Sequence, residues 1–155
     1  MIDSLDRELA TALVQDGRLT YQELARIVHL SANSTADRVR RLQQNGVILG
    51  YHAELNLSAL GRSLTALSDV KLKDEIDRRD FERHLVELPQ VVSATHTTGE
   101  YDYQLRLACT DTADLERVVD DLRWLGVRDM QSRVVLGETV FDPTRMLRGV
   151  PTGQP

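Results

Sequence analysis

The stretch TYQELARIVHLSANSTADRVRRLQQN, residues 20–45, decides how the rest of the chain is read. Thr20 is a good N-cap residue, and Glu23 three positions later completes a capping box. Leu24, Ala25 and Val28 then form one apolar face. A second helix opens at Ser31, where Ala32, Thr35, Ala36, Val39 and Leu42 recur at helical spacing. Asn45-Gly46 closes it, because glycine takes the left-handed C-terminal conformation without steric cost. Two helices joined by the few residues between Val28 and Ser31 predict a helix-turn-helix, whose second helix enters a DNA major groove.

The second helix carries suitable chemistry. Asn33, Ser34 and Thr35 are short polar side chains able to hydrogen-bond base edges or phosphate. Arg38 and Arg41 lie three apart, with Arg40 beside them, and residues 26–41 hold four arginines against the single acid Asp37. Together with Thr20, Tyr21 and Ser31 at the helix starts, these residues form the candidate DNA-contacting set. Asp37 has three readings: it excludes phosphate, accepts from a cytosine, or pairs with Arg41 at i,i+4. Taken alone, the whole stretch also fits an ordinary helical hairpin with a solvated face.

The balance of the chain narrows the class. Its 155 residues, 41% hydrophobic and 28% charged, suit a globular protein of one domain or two small ones. The longest apolar runs are a few residues, so neither a membrane span nor a secretory signal is expected, and the cytoplasm is. A net charge of −5 argues against indiscriminate coating of nucleic acid, leaving a localised basic surface. The lone Cys109 excludes an internal disulfide and reads as a core residue in the alternating run Tyr103-Leu105-Leu107-Cys109. His29, His52, His84 and His96 have no metal-ligand spacing, and no nucleophile triad or phosphate-binding glycine loop is present. An enzyme is therefore not expected, nor a cofactor or metal.

A helix is predicted before the hairpin, about Ser4 to Gln15, with Ile2, Leu5, Leu9, Ala12 and Leu13 inward and Gly17 as its stop. Residues 1–50 thus make a DNA-binding domain, and Val47 to Leu55 reads as an extended wing or linker strand, with a hinge over 51–61. From residue 62 the period changes. Leu64, Ala66, Ser68, Val70 and Leu72 alternate as a strand, and a helix near 77–88 turns Phe81, Leu85 and Leu88 inward. Val91 to Thr98 and Tyr103 to Cys109 form a hairpin around Gly99 to Asp102. A helix capped by Asp111 or Thr112 follows, with Leu115, Val118, Val119, Leu122 and Leu125 as its stripe, then a strand from Val127 to Val140. The order βαββαβ over 62–142 is the ferredoxin-like arrangement, so the fold class is α+β. Its helices cover one sheet face, and a second copy of the chain is the simplest cover for the other. Residues 143–155 lack periodicity and read as a flexible tail.

The motifs Leu5-Asp6, Asp16-Gly17-Arg18, Tyr21-Gln22-Glu23-Leu24-Ala25, Leu30-Ser31, Arg38-Val39-Arg40-Arg41-Leu42 and Gly46-Val47-Ile48-Leu49-Gly50-Tyr51 resemble the Lrp/AsnC, or feast/famine, transcription regulators. Thr98-Gly99-Glu100-Tyr101-Asp102-Tyr103 stands where that family has its Gly-x-(Tyr/Phe)-Asp-Tyr loop. The resemblance implies an N-terminal domain that binds double-stranded DNA. It also implies a C-terminal domain that dimerises, assembles into tetramers or octamers, and senses a small molecule, usually an amino acid. The effector positions it implies are Thr98, Gly99, Glu100, Tyr101 and Asp102, Asp111 and Thr112, and Gln131 and Ser132. A glycine loop exposing backbone suits an α-carboxylate, and Asp102 suits an α-ammonium. Equally, Gly99 to Asp102 reads as a hairpin turn in which Asp102 caps backbone amides. The chain departs from the family at Met130-Gln131-Ser132, where Thr-Arg-Thr is frequent, which leaves the effector's identity open. The competing function is a sensing or assembly module without effector-regulated DNA binding.

Overall fold

The computed structural model describes residues 2–148. They form two compact units: residues 2–54 together with 139–148, and residues 55–138.

The first unit is built on α1 (Ser4–Gln15), α2 (Tyr21–Ile27) and α3 (Ala32–Gln44). Each helix starts on a side chain that accepts an otherwise orphaned amide: Asp3 from Asp6, Thr20 from Glu23, and Ser31 from Ser34. At Asp3 and Thr20 the third helical residue returns its carboxylate to the cap's own amide, so both are capping boxes. Leu9, Ala12 and Leu13 of α1 pack with Leu24, Val28, Val39 and Leu42 in one core. Each fully buried leucine or valine there contributes roughly 1.5–3 kcal/mol. Gly46, at φ 69, turns the chain out of α3 as expected. Between α2 and α3 the turn passes through His29 at φ 54, a left-handed conformation without glycine.

Two expectations at this unit's edges are corrected. Val47 to Leu55 enters no strand ladder; the Val47 and Ile48 amides instead return to the Leu42 carbonyl at 2.9 and 3.1 Å. Pro143–Arg148, expected as tail, forms a 3-10 helix against α1. Pro143 suits a first helical position, and Asp142 accepts the Thr144 amide at 2.9 Å. Residues 149–155 of the expected tail lie outside the described residues.

The second unit has four antiparallel strands in the order β2-β3-β1-β4: β1 (Leu64–Leu72), β2 (Val91–His96), β3 (Tyr103–Cys109) and β4 (Val127–Val134). Helices α4 (Arg78–Leu85) and α5 (Thr112–Trp124) complete the βαββαβ sequence. Phe81 and Leu85 of α4 and Val118 and Leu122 of α5 pack on Ala66, Val70, Leu72, Tyr103, Leu105, Leu107 and Cys109. That residue set is the alternating pattern of β1 and β3, so one face of both strands is core. β4 ends at Val134 rather than running to Val140, because β1 begins at Leu64 and offers no further partner once the Val135 amide has bonded Thr65 at 2.8 Å.

The opposite sheet face is polar along its centre. Asp69 accepts from Gln104 Nε2 at 3.0 Å and pairs with Arg133, while Arg106 holds Glu138 at 2.7 Å.

Candidate nucleic-acid interface and ligand loop

At about 100° per residue, Asn33, Asp37, Arg40 and Gln44 fall on one ridge of α3, opposite the core stripe Thr35, Val39 and Leu42. All four ridge residues are exposed, as are Ser34 and Arg41 on its flank. Asp37 pairs with Arg40 at 2.6 Å rather than with Arg41. Among the described residues no carboxylate forms a salt bridge with Arg41. Arg26, in the last turn of α2, is exposed as well.

Other members of the candidate set are engaged inside the fold. Thr35 is 0% exposed and its hydroxyl donates to the Ser31 carbonyl at 2.9 Å, so it holds the helix start and does not reach a groove. Ser31 Oγ accepts the Ser34 amide and donates to Ser34 Oγ at 2.8 Å. Thr20 is bound to Glu23, while the neighbouring Tyr21 is exposed. Arg38 turns away from the ridge: its Nη1 lies 2.7 Å from Asp3 Oδ2 and 2.8 Å from Asp6 Oδ1, and its side chain is 22% exposed. These bonds raise the guanidinium's pKa, Asp3 contributing first, and the Asp6 amide followed by Arg38 holds the Asp3 carboxyl below the usual range. Sequence reasoning missed Asp3 and Asp6. Their signal was the Asp-x-x-Asp cap spacing, which marks a helix start and not a partner.

The expected effector positions separate into two groups. Gly99, at φ 117, opens the β2–β3 turn. Thr98 and Glu100 are exposed in it. Asp102 is tied into the sheet: its Oδ2 accepts the Leu72 amide at 2.8 Å, and its own amide donates to Val70. Tyr101 has its phenol pKa raised, first by desolvation and then by Asp129, Glu100 and Asp69. Gln131 stands opposite Asp69 on the polar sheet face. Ser132 points the other way, its Oγ 2.7 Å from the buried Ser68 Oγ.

Asp111 and Thr112 lie elsewhere. Asp111 caps α5 by accepting the Asp114 amide at 2.8 Å, beyond the Cys109 end of β3, whereas the loop precedes Tyr103 at the other end. A seven-residue strand separates them, about 20 Å at 3.4 Å per residue. One chain does not bring the two groups together. Behind the loop, Tyr103 donates to Glu82 at 2.5 Å, Arg78 reaches the Tyr103 hydroxyl at 3.5 Å, and the His96 ring meets that of Tyr103 at a tilt, 5.2 Å between centroids. Burial first, then the Glu82 bond, pushes that phenol upward. Sequence reasoning missed Arg78 and Glu82, whose i,i+4 spacing on a charged helix face looks like ordinary solvated charge.

A cleft of about 830 Å³ lies in the first unit, lined among others by Ala10, Leu13, Tyr51, His52 and Met146, and not at the ligand loop. Among the described residues no helix is long and apolar enough to cross a membrane, and no group of three acidic, histidine or cysteine side chains could hold a metal.

A tri-helical unit with an exposed, arginine-bearing second hairpin helix, joined to a ferredoxin-like unit, defines a helix-turn-helix DNA-binding regulator. Comparison with known proteins agrees. Residues 2–43 match the AsnC-type helix-turn-helix domain and residues 65–145 the Lrp/AsnC ligand binding domain. The leucine-responsive regulatory protein of Rhizobium meliloti is 38% identical over 120 residues, covering 76% of this chain and 77% of its own. The Bkd operon transcriptional regulator of Pseudomonas aeruginosa is 38% identical over 116 residues, 72% and 74% of the two chains. Among solved structures, a Neisseria meningitidis transcriptional regulator in complex with L-methionine superposes with TM-score 0.84 at 31% identity, covering 93% of this chain and 96% of that one. The chain belongs to the Lrp/AsnC family of transcriptional regulators.

Proposed function

We propose that the chain is a sequence-specific transcriptional regulator, at least a homodimer, whose DNA binding or assembly is modulated by an amino acid. The observation that carries the DNA part is the ridge Asn33, Asp37, Arg40 and Gln44 with Arg41 beside it, exposed opposite a packed core. Polar residues on such a ridge suit base edges, and the arginines suit phosphate. Arg41→Gln weakens DNA binding and removes about 0.9 from the salt slope for each protomer engaged.

Assembly is supported by the separation within the ligand-binding unit. The Gly99–Asp102 loop and Asp111–Thr112 stand at opposite ends of β3, so a site using both requires two copies. Ligand binding is supported by the named relatives, one leucine-responsive and one in complex with L-methionine. The test is thermal unfolding with each proteinogenic amino acid, since a ligand present at about 100 times its Kd stabilises by about 2.7 kcal/mol. A selective rise in midpoint supports the reading. No rise, with DNA retardation and assembly unchanged by any amino acid, favours the module without an effector, in keeping with Ser132 being engaged by Ser68.

A further inference from the structure

Arg38 sits on the helix proposed to read DNA, yet among the described residues its side-chain hydrogen bonds go to the start of another helix. Asp3 and Asp6 each divide their oxygens between two tasks. Asp3 Oδ1 accepts the Asp6 amide at 2.8 Å and Asp6 Oδ2 the Asp3 amide at 3.3 Å, closing the capping box of α1. The remaining oxygen of each carboxylate meets the same nitrogen, Arg38 Nη1. Two carboxylates around one guanidinium leave a local charge of −1, which does not attract phosphate. On the wheel of α3, Arg38 flanks the core stripe through Thr35 and Leu42 instead of standing on the outer ridge. Asp6 is itself only 15% exposed.

We propose that Arg38 is a positioning residue for DNA reading: with Asp3 and Asp6 it clamps α3 to the N-terminus of α1 and sets the angle at which Asn33, Asp37 and Arg40 meet the groove. This rests on the DNA-binding reading above. The core that α1 and α3 share is apolar and its contacts are non-directional, and a charged pair with its hydrogen bonds shared into a helix cap supplies a direction. Phosphate attraction then belongs to Arg41 and the exposed ends of the ridge.

The test compares binding to a duplex recovered by the wild-type chain from a random-sequence pool with binding to a scrambled duplex, over a range of salt. All variants are used at a temperature where circular dichroism shows them folded. Arg38→Gln is expected to lower the ratio of selected to scrambled affinity by about tenfold with the salt slope unchanged, and Arg38→Lys to recover part of the ratio. Asp3→Asn with Asp6→Asn is expected to lower the ratio in the same way, although it removes negative charge, and to add little in the Arg38→Gln background.

A slope reduced by about 0.9 per protomer in Arg38→Gln, or tighter binding when the two aspartates are neutralised, makes Arg38 a phosphate contact and overturns the proposal. An unchanged ratio in both variants makes the clamp merely structural and overturns it too. A wild-type chain that recovers no duplex overturns the DNA-binding reading itself, and the clamp's role with it.

Discussion

The Asp102 carboxylate accepts the backbone amide of Leu72 at 2.8 Å, so the ligand loop and the end of β1 are held by the same side chain. Removing the acceptor leaves a partly buried amide without its partner, at a cost of about 1–3 kcal/mol. Asp102→Ala is therefore expected to lower the urea midpoint, while Asp102→Asn, which keeps a side-chain oxygen, recovers most of the loss. A midpoint equal to the wild type in Asp102→Ala shows that the bond contributes nothing.

His29 occupies φ 54 with an exposed side chain, a conformation that is costly for a residue with a Cβ. A left-handed residue other than glycine costs roughly 1–2 kcal/mol, less the extra freedom glycine gains when unfolded. Denaturant unfolding should rank His29→Gly at or above the wild type by up to about 1 kcal/mol, and His29→Val below it by at least as much. The reverse order contradicts the assignment of strain to this turn.

Asp114 is buried, 4% exposed, and accepts from the Thr110 amide at 3.0 Å, the Gln90 side chain at 2.9 Å and Arg117 at 3.2 Å. The Thr110 amide first and Gln90 next hold its carboxyl below the ordinary range, against the opposing effect of burial. Because the folded value lies below the unfolded one, about 3.9, the stabilisation is full above the unfolded value and is lost as pH falls through the folded value. Thermal midpoints followed from neutral pH into acid should fall less steeply for Asp114→Asn than for the wild type. That variant should also be less stable at neutral pH. Parallel curves exclude Asp114 as a source of acid sensitivity.

Cys109 is fully buried in the sheet core, and burial, then Asp114, pushes its thiol pKa up. A thiol of this kind is a poor nucleophile. The folded chain should stay unmodified by a disulfide exchange reagent and react at once when unfolded in guanidinium. Rapid labelling of the native protein argues against the packing described here.

Most of the fold was legible because its signals are local. Thr20 and Ser31 cap the helices they were expected to cap, and the alternation from Leu64 to Leu72 predicts the buried face of β1. What stayed hidden depends on distant partners. Arg38 and Arg41 look alike three residues apart, yet Arg38 pairs with residues 35 and 32 positions away. The effector positions follow the family's loop, but the strand length that separates Gly99–Asp102 from Asp111–Thr112 becomes visible only once the hairpin register is known. The 3-10 helix at Pro143–Arg148 has too few residues for a period, and its Pro and Asp signals read equally as a turn.

Gln131 and Ser132 are neighbours in sequence that face opposite sides of the sheet, one beside Asp69 on the polar face and one against Ser68 on the other. Deleting a single residue between α5 and β4 would exchange their faces, turning Gln131 to the side of Ser68 and Ser132 to the side of Asp69. A point change at either position is thus a private matter of one face, whereas a frame slip of one residue rewrites both at once. Variation along β4 can therefore proceed by substitution, one side at a time, far more readily than by insertion or deletion.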